Sequence, residues 1–196
     1  MLTLSAPPLD PVPRPNRVEI IGVFGAGKST LAKRIAGPGT KYLAEDHQAN
    51  PYWGCQKAVQ VAGYLPYDLS FLMQHALLVA TAPNDVLAVC DWSFLTDRLW
   101  AKMRLAEAEL TAYDLTCAAI LTRLGSPQLY IYLRQSPDVI RYRVAKRARQ
   151  SEEAFCEHVE AAYARVEELV EAVPAGRLRI VGDAFEARDL MASLPT

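Results

Sequence analysis

The stretch Gly22-Val-Phe-Gly-Ala-Gly-Lys-Ser29 decides the fold, because it carries the spacing G-x-x-x-x-G-K-S of a phosphate-binding P-loop. Glycines let the backbone wrap closely around phosphate groups with its N–H groups pointing inward. A predicted strand precedes the stretch and a predicted helix follows it, and the N-terminal end of a helix attracts anions. A Gly-rich turn that arose by chance is the alternative, and this strand-loop-helix context argues against it.

Two side chains at the end of the loop have specific chemistry. Lys28 reaches the β- and γ-phosphates of a nucleoside triphosphate and is therefore a candidate catalytic residue, and the hydroxyl group of Ser29 binds Mg²⁺. We predict that ATP is the triphosphate and that it contacts Gly22, Gly25, Ala26, Gly27, Lys28, Ser29 and Thr30.

Strand and helix patterns alternate along the rest of the chain. The predicted strands cover residues 18–23, 41–44, 85–90, 128–133 and 177–181. The predicted helices cover residues 28–36, 66–82, 95–108, 111–124, 138–149 and 152–173. This alternation predicts an α/β three-layer sandwich of the P-loop NTPase type, in which a five-stranded parallel sheet has helices on both faces. In such a sheet the ligand binds beyond the carboxyl ends of the strands.

Composition limits the classes of function. The 196 residues include 21 Lys and Arg against 22 Asp and Glu, so a strongly basic surface for nucleic acid is not expected. No apolar run approaches the ~20 residues that span a bilayer, and the four scattered cysteines show no metal-ligand spacing. We expect a cytoplasmic protein that binds neither nucleic acid nor membrane. Residues 1–16 contain five prolines and are predicted to be a flexible tail, with a single kinase-type domain at 17–196.

Two acidic residues follow predicted strands. Asp91 ends the third strand, where a carboxylate suits a Walker-B role in holding Mg²⁺. The alternative for Asp91 is a polar strand-end residue that faces solvent. Glu45 lies just past the second strand, where an ionised carboxylate within hydrogen-bond reach could take the proton of an acceptor hydroxyl group. The alternative for Glu45 is a helix N-terminal acid or a surface residue.

The predicted helix 138–149 is strongly basic. A solvated basic face is the usual meaning of such a charge run. Arg147 and Arg149 lie at the end of this helix, where a lid loop would begin, and guanidinium groups stabilise the charge that develops during phosphoryl transfer. We therefore predict that Arg147 and Arg149 are catalytic lid residues and that Arg147 also contacts ATP.

With these residues identified, the chain resembles the deoxynucleoside kinases, especially the small bacterial deoxyadenosine and deoxyguanosine kinases, from about residue 18 to 152. Residues 45–51, Glu-Asp-His-Gln-Ala-Asn-Pro, resemble the family's E-P-x-x-x-N-P segment. Residues 91–98, Asp-Trp-Ser-Phe-Leu-Thr-Asp-Arg, resemble the D/E-R-S-x-x-x-D-R stretch. Residues 145–152, Ala-Lys-Arg-Ala-Arg-Gln-Ser-Glu, resemble the lid motif K-R-x-R-x-x-E.

The resemblance implies roles for matched residues. It makes Glu45 the general base on a sugar 5′-hydroxyl group, and it makes Arg147 and Arg149 the arginines that embrace the phosphates. It also implies that the protein can form a homodimer. The implied acceptor-binding residues are Glu45, Trp53, Asp68, Phe71, Trp92, Asp97 and Glu152.

The acceptor side differs from the family pattern. Trp92 replaces an arginine, Asp68 replaces the glutamine that reads the base, and His75 replaces a second arginine. An ionised Asp68 can only accept hydrogen bonds, which suits guanine N1–H and N2–H or an amine on another acceptor. The alternative for Asp68 is an acid in the first turn of a helix, favoured by the helix dipole. The aromatic residues nearby form either a ligand pocket or part of the core.

The sequence therefore predicts an ATP- and Mg²⁺-dependent phosphotransferase that acts on a hydroxyl group of a small molecule, with the 5′-hydroxyl group of a (deoxy)nucleoside as the favoured acceptor. A kinase for a non-nucleoside acceptor is one alternative. A nucleotide-binding protein with weak catalysis is another, because Trp92 lacks the charge of the expected arginine.

Overall fold

The computed structural model describes residues 16–147 and 159–182. The described strands are β1 (Arg17–Ile21), β2 (Thr40–Leu43), β3 (Leu87–Cys90), β4 (Leu129–Leu133) and β5 (Leu178–Val181). They form one parallel sheet in the order β2-β3-β1-β4-β5. The predicted α/β fold with a five-stranded parallel sheet is confirmed. Most of the predicted tail, together with Arg149 and Glu152, lies outside the described residues.

Helices connect the strands on both faces of the sheet. The described helices are α1 (Lys28–Ile35), α2 (Gln56–Ala62), α3 (Leu65–Ala80), α4 (Phe94–Arg104), α5 (Glu107–Leu124), α6 (Pro137–Arg147) and α7 (Val159–Glu171). The sequence did not predict α2, which is only seven residues long and has no buried residue. Within the described ranges, no helix combines the length and apolar character needed to cross a membrane.

The predicted boundary between the helices 95–108 and 111–124 was wrong. The pattern extended the first of them to residue 108 and began the second at residue 111. The structure ends α4 at Arg104 and begins α5 at Glu107, because Leu105 and Ala106 adopt extended backbone angles. The Glu109 carboxylate then accepts a hydrogen bond from the Ala106 N–H group at 3.2 Å, which caps α5.

The two faces of the sheet bury separate apolar clusters. Val89 points into a cluster with α1, α6 and α7, whereas its neighbours Ala88 and Cys90 point into a cluster with α3, α4 and α5. This alternation is what a strand covered on both faces requires. The two clusters hold the strand ends in place, and the functional site lies at those ends.

A buried ion pair lies within the central strand. Arg17 and Glu19 are 1% and 0% exposed, and Arg17 Nε donates to Glu19 Oε1 at 2.7 Å. The other guanidinium nitrogens of Arg17 donate to the carbonyl oxygens of Leu124 and Gly125 at 3.1 and 2.7 Å. The positive charge of Arg17 therefore joins the central strand to the end of α5.

The carboxylate of the pair holds the start of α4. Glu19 Oε2 accepts hydrogen bonds from the Ser93 hydroxyl group at 2.9 Å and from the Phe94 N–H group at 3.2 Å. Ser93 is itself the N-cap of α4 and accepts from the Leu95 N–H group at 3.1 Å. The loop that follows β3 is thus fixed to the central strand.

Candidate functional site

The P-loop joins the carboxyl end of β1 to α1 in a conformation that requires glycine. Gly25 and Gly27 have φ angles of 79° and 105°, in the left-handed region. A Cβ atom on Gly25 would lie 2.7 Å from Val144 Cγ2, and one on Gly27 would lie 3.3 Å from Arg143 Nη1. Helix α6 therefore packs directly on the loop, and larger residues at these two positions would push it away.

Lys28 lies over the inner side of the loop. Its Nζ atom donates to the carbonyl oxygens of Gly22 and Val23 at 3.0 and 3.3 Å. The same atom is 5.7 Å from the ring centroid of Phe24, and that ring stacks on Trp100 of α4 at 5.1 Å. These contacts hold the ammonium group where the loop would surround a phosphate.

The basic residues of α6 divide into two groups. Arg141 forms ion pairs with Asp138 and Glu160, as expected of a solvated face. Arg143 instead donates from Nη1 to the carbonyl oxygen of Ala26 at 2.5 Å, which ties α6 to the P-loop. No local pattern in the sequence separates Arg143 from its basic neighbours. The side chain of Arg147 lies outside the described part of the chain, and the lid stays a prediction.

Asp91 is buried at the end of β3, and both of its carboxylate oxygens accept hydrogen bonds. The Tyr42 hydroxyl group donates to Oδ2 at 2.6 Å, and the Glu45 N–H group donates to Oδ1 at 2.7 Å. Asp91 is only 3% exposed, so it is not a strand-end residue that faces solvent. Burial and the nearby Asp91 carboxylate raise the pKa of Tyr42, so its hydroxyl group remains a donor.

Glu45 lies past the end of β2 and contributes its half-buried side chain to the site. It is not a helix N-terminal acid, because Asp46 caps the short 3-10 helix that follows. Burial raises the pKa of Glu45 above its ordinary value, the charges of Lys28 and His75 oppose this effect, and Asp97 adds to it. The carboxyl group is therefore a stronger base than an exposed glutamate.

Asn50 fixes the loop that follows Glu45. Its side-chain amide donates to the carbonyl oxygen of Tyr67 at 3.0 Å and accepts from the Tyr52 N–H group at 2.9 Å. Asn50 is 3% exposed. Asn50, in the segment 45–51, thus anchors the loop on α3. Its contribution to the site is to hold this loop in position.

A cavity of about 650 Å³ joins the strand ends to helices α3 and α4. The P-loop contributes Gly25, Gly27, Lys28 and Ser29, and the strand ends contribute Glu45 and Asp91. Five predicted acceptor residues line the same cavity: Trp53, Asp68, Phe71, Trp92 and Asp97. The other predicted ATP contacts lie beside it in the loop and in α1: Gly22, Ala26 and Thr30. The structure thus brings the described part of the predicted site together.

Aromatic rings form one wall of the cavity. Phe71 meets Trp53 and Tyr67 edge to face, with ring centroids 6.2 and 5.3 Å apart. Trp92 stacks flat on His75, with centroids 3.9 Å apart and an interplanar angle of 2°. Phe71 and Trp92 are 9% and 2% exposed. These two side chains therefore belong both to the core and to the cavity wall.

Asp68 has an ionic partner that the sequence did not reveal. It lies in the first turn of α3, is 3% exposed, and forms an ion pair with Arg104 at the end of α4. The Cζ atom of Arg104 lies 5.2 and 5.7 Å from the ring centroids of Tyr67 and Tyr64. Asp68 is therefore not a solvent-facing helix acid, and its charge is balanced inside the protein.

A second buried pair joins α3 to α4. His75 Nδ1 lies 2.6 Å from Asp97 Oδ2, and His75 is 0% exposed. Burial lowers the pKa of His75, but the charge and hydrogen bond of Asp97 outweigh burial, and the net shift is upward. This pair holds Asp97, which lines the cavity, against α3.

The fold and the site together have three defining features. The sheet is parallel, its central strand carries a P-loop, and an acidic residue follows each of two neighbouring strands. Solved structures of deoxyadenosine kinase from M. mycoides have the same fold. The dCTP-bound structure matches with a TM-score of 0.73 and 22% identity, over 90% of this chain and 96% of that chain. The dATP-bound structure matches with a TM-score of 0.71 and 22% identity, over 90% and 97%.

A third structure of the same enzyme, with products dCMP and a flexible dCDP bound, matches with a TM-score of 0.72 and 21% identity, over 90% of this chain and 96% of that chain. No family model and no curated protein matches the sequence. The likeness to deoxynucleoside kinases is confirmed as a likeness of fold.

Proposed function

We propose that the protein is a kinase that transfers the γ-phosphate of ATP to a hydroxyl group of a small molecule, with the 5′-hydroxyl group of a (deoxy)nucleoside as the acceptor. One observation carries the proposal: Lys28, Glu45 and Asp91 line one cavity and follow three neighbouring strands of the sheet. Phosphoryl transfer depends mainly on positioning and on stabilisation of charge. This cavity offers both.

The donor half of the site suits Mg–ATP. The glycine backbone and the N-terminus of α1 would bind the phosphates, and Lys28 would neutralise their charge. Among the described residues no group of three His, Cys, Asp or Glu side chains could hold a metal ion. Ser29 and Asp91 line the same cavity, and the oxygen ligands that their hydroxyl and carboxylate groups offer fit Mg²⁺ that also binds phosphates. When bound, Mg²⁺ would neutralise charge on the β- and γ-phosphates.

The acceptor half supplies a base. Glu45 would accept the proton of the acceptor hydroxyl group while that oxygen forms a bond to the γ-phosphorus and ADP leaves. Its raised pKa supports this role, because a base is most effective when its pKa is near the working pH. Arg143 would keep α6 close to the phosphates through Ala26. Arg147, Arg149 and Glu152 remain proposed lid residues.

The cavity wall supports a nucleoside over an amine. Trp53, Tyr67 and Phe71 offer aromatic faces to a planar base. Arg104 already balances the charge of Asp68, so a cationic amine would gain little from that carboxylate. The deoxyadenosine kinase structures contain deoxynucleotides, which supports the same class of ligand.

The preference for guanine expected from Asp68 alone no longer follows. Asp68 Oδ2 and Arg104 Nε are buried and have no hydrogen-bond partner among the described residues. The first atom accepts and the second donates. Since the pair contains both an acceptor and a donor, it does not favour guanine over adenine or cytosine. We therefore propose a nucleoside acceptor without a preferred base.

Acceptor-dependent formation of ADP tests the proposal. ADP release is measured with Mg–ATP alone and with a panel of nucleosides, amines and polyols, and nucleosides are expected to accelerate it. Lys28→Ala is expected to abolish turnover with an unchanged circular dichroism spectrum, whereas Lys41→Ala, on the exposed side of β2, serves as the charge-matched control. ATP binding without acceleration by any acceptor would favour a nucleotide-binding protein with weak catalysis, which is the role that the neutral Trp92 suggests.

A further inference from the structure

The hydroxyl group of Tyr42 contacts Asp91, one of the two side chains proposed to bind Mg²⁺. It donates its only proton to Asp91 Oδ2 at 2.6 Å. Tyr42, Asp91 and Ser29 all line the cavity.

Two hydrogen bonds leave part of the Asp91 carboxylate available. Tyr42 fixes Oδ2 and the Glu45 N–H group fixes Oδ1. Each carboxylate oxygen keeps a second lone pair, and these lone pairs are left for a cation.

The position of Tyr42 in the fold makes this arrangement rigid. Tyr42 belongs to β2, which pairs with β3 in a register that places Tyr42 opposite Val89. Asp91 follows the end of β3. The hydrogen bond of the tyrosine thus joins β2 to the residue that follows β3.

We propose that Tyr42 is a positioning residue that presents the Asp91 carboxylate to the Mg²⁺ ion of the nucleotide complex. The inference rests on the proposed function, since it assumes that Mg–nucleotide binds in this cavity. Tyr42 does not bind the ion. It orients the carboxylate that does, as outer-shell hydrogen bonds do in metal sites, where their loss typically lowers metal affinity ~10–100-fold.

Binding of a fluorescent ATP analogue tests the proposal without turnover. The full chain is titrated with the analogue in Mg²⁺ and in EDTA, as wild type and as Tyr42→Phe. We expect Tyr42→Phe to weaken binding in Mg²⁺ by ~10–100-fold and to leave binding in EDTA almost unchanged. In turnover the same variant should raise KM for Mg–ATP more than it lowers kcat.

Tyr132→Phe is the matched control. The Tyr132 hydroxyl group donates to Glu167 Oε1 at 2.6 Å, which is the same kind of contact, and neither residue belongs to the cavity as described. This control should lose stability but keep the full response to Mg²⁺. An equal response in Tyr42→Phe and wild type would overturn the proposal.

Two further arms separate the possible failures. Should Tyr42→Phe not fold, Tyr42→His keeps a side-chain donor and is expected to retain part of the Mg²⁺ response. In an Asp91→Asn background, Tyr42→Phe should have little additional effect, because both act on one ligand, and fully additive effects would contradict the action of Tyr42 through Asp91. Wild-type protein that binds no nucleotide would refute the proposed function itself, and wild-type protein that binds it without any Mg²⁺ response would refute Mg²⁺ binding by Ser29 and Asp91.

Discussion

Replacing Glu19 by glutamine tests the buried ion pair that fixes the central strand. Glu19 is 0% exposed and accepts hydrogen bonds from Arg17, Ser93 and Phe94. Glutamine keeps the shape of the side chain but has no charge, and its NH₂ group must face a donor on one side. Arg17 would keep its two bonds to carbonyl oxygens and would lose its only carboxylate partner among the described residues.

The expected cost is large for a single substitution. Breaking a buried ion pair from one side typically costs ~3–5 kcal/mol, against a total free energy of unfolding of ~5–15 kcal/mol for a domain. With a urea slope of about 2 kcal/mol per molar, the midpoint should fall by about 2 M. The expected loss is therefore easy to measure.

Replacing the partner, Arg17, by glutamine should give a loss of stability that depends on pH. Burial raises the pKa of Glu19 above its ordinary value of 4.5, and Arg17 opposes the effect, so Arg17→Gln should raise this pKa further. A carboxyl group with a raised pKa in the folded state favours folding at low pH, and that contribution is lost as pH rises through the folded-state value. Arg17→Gln should therefore be less destabilising in acid than at neutral pH.

Urea unfolding at several pH values is the assay. Glu168→Gln is the control, because the Arg165–Glu168 pair is exposed, with side chains 57% and 63% accessible, and such pairs contribute ~0.2–1 kcal/mol. A loss in Glu19→Gln no larger than in this control would refute the view that the buried pair holds the central strand to α4 and α5.

Three further outcomes are expected. Glu45→Gln should lower kcat by ~10²–10⁴-fold with little change in KM, and a loss of kcat below about threefold would assign Glu45 to structure. Because burial raises the pKa of Glu45, the wild-type rate should rise with pH over a range above 4.5. Gly25→Ala should lower the free energy of unfolding by at least ~1–2 kcal/mol in urea titrations, since alanine is strained at φ 79° and its Cβ atom would meet Val144. Unchanged stability would contradict the close packing of α6 on the P-loop. NMR titration should give His75 a pKa above 6.5 that falls in Asp97→Asn, and an unshifted His75 pKa would contradict the pairing. The stability that this pair contributes should be lost as pH rises through that pKa.

Local patterns in the sequence predicted the sheet and the phosphate half of the site. The P-loop is a contiguous stretch, and Glu45 and Asp91 each follow a recognisable strand, so parallel strands bring them together at one edge. The boundary at Leu105 could not be predicted, because apolar residues continue the helical period across the break.

The partners that complete the site could not be predicted. Tyr42 meets Asp91 across 49 residues, Arg104 meets Asp68 across 36, and Arg143 meets Ala26 across 117. Nothing in the local pattern distinguishes these side chains from others of their type. Their contacts depend on the strand order and on how α3, α4 and α6 pack, which a single sequence does not specify.

The two sets of groups around the cavity belong to different elements of the fold, and this separation affects how the substrate preference of such an enzyme can change. The groups proposed for phosphate chemistry are attached to the P-loop and to the ends of β2 and β3, whereas Asp68 and Arg104, which are proposed to lie on the acceptor side, belong to α3 and α4. Exchanging residues on the two helices alters what the cavity admits without disturbing the strand ends. A lineage with this fold can therefore change its substrate by small steps while the transfer machinery is inherited intact.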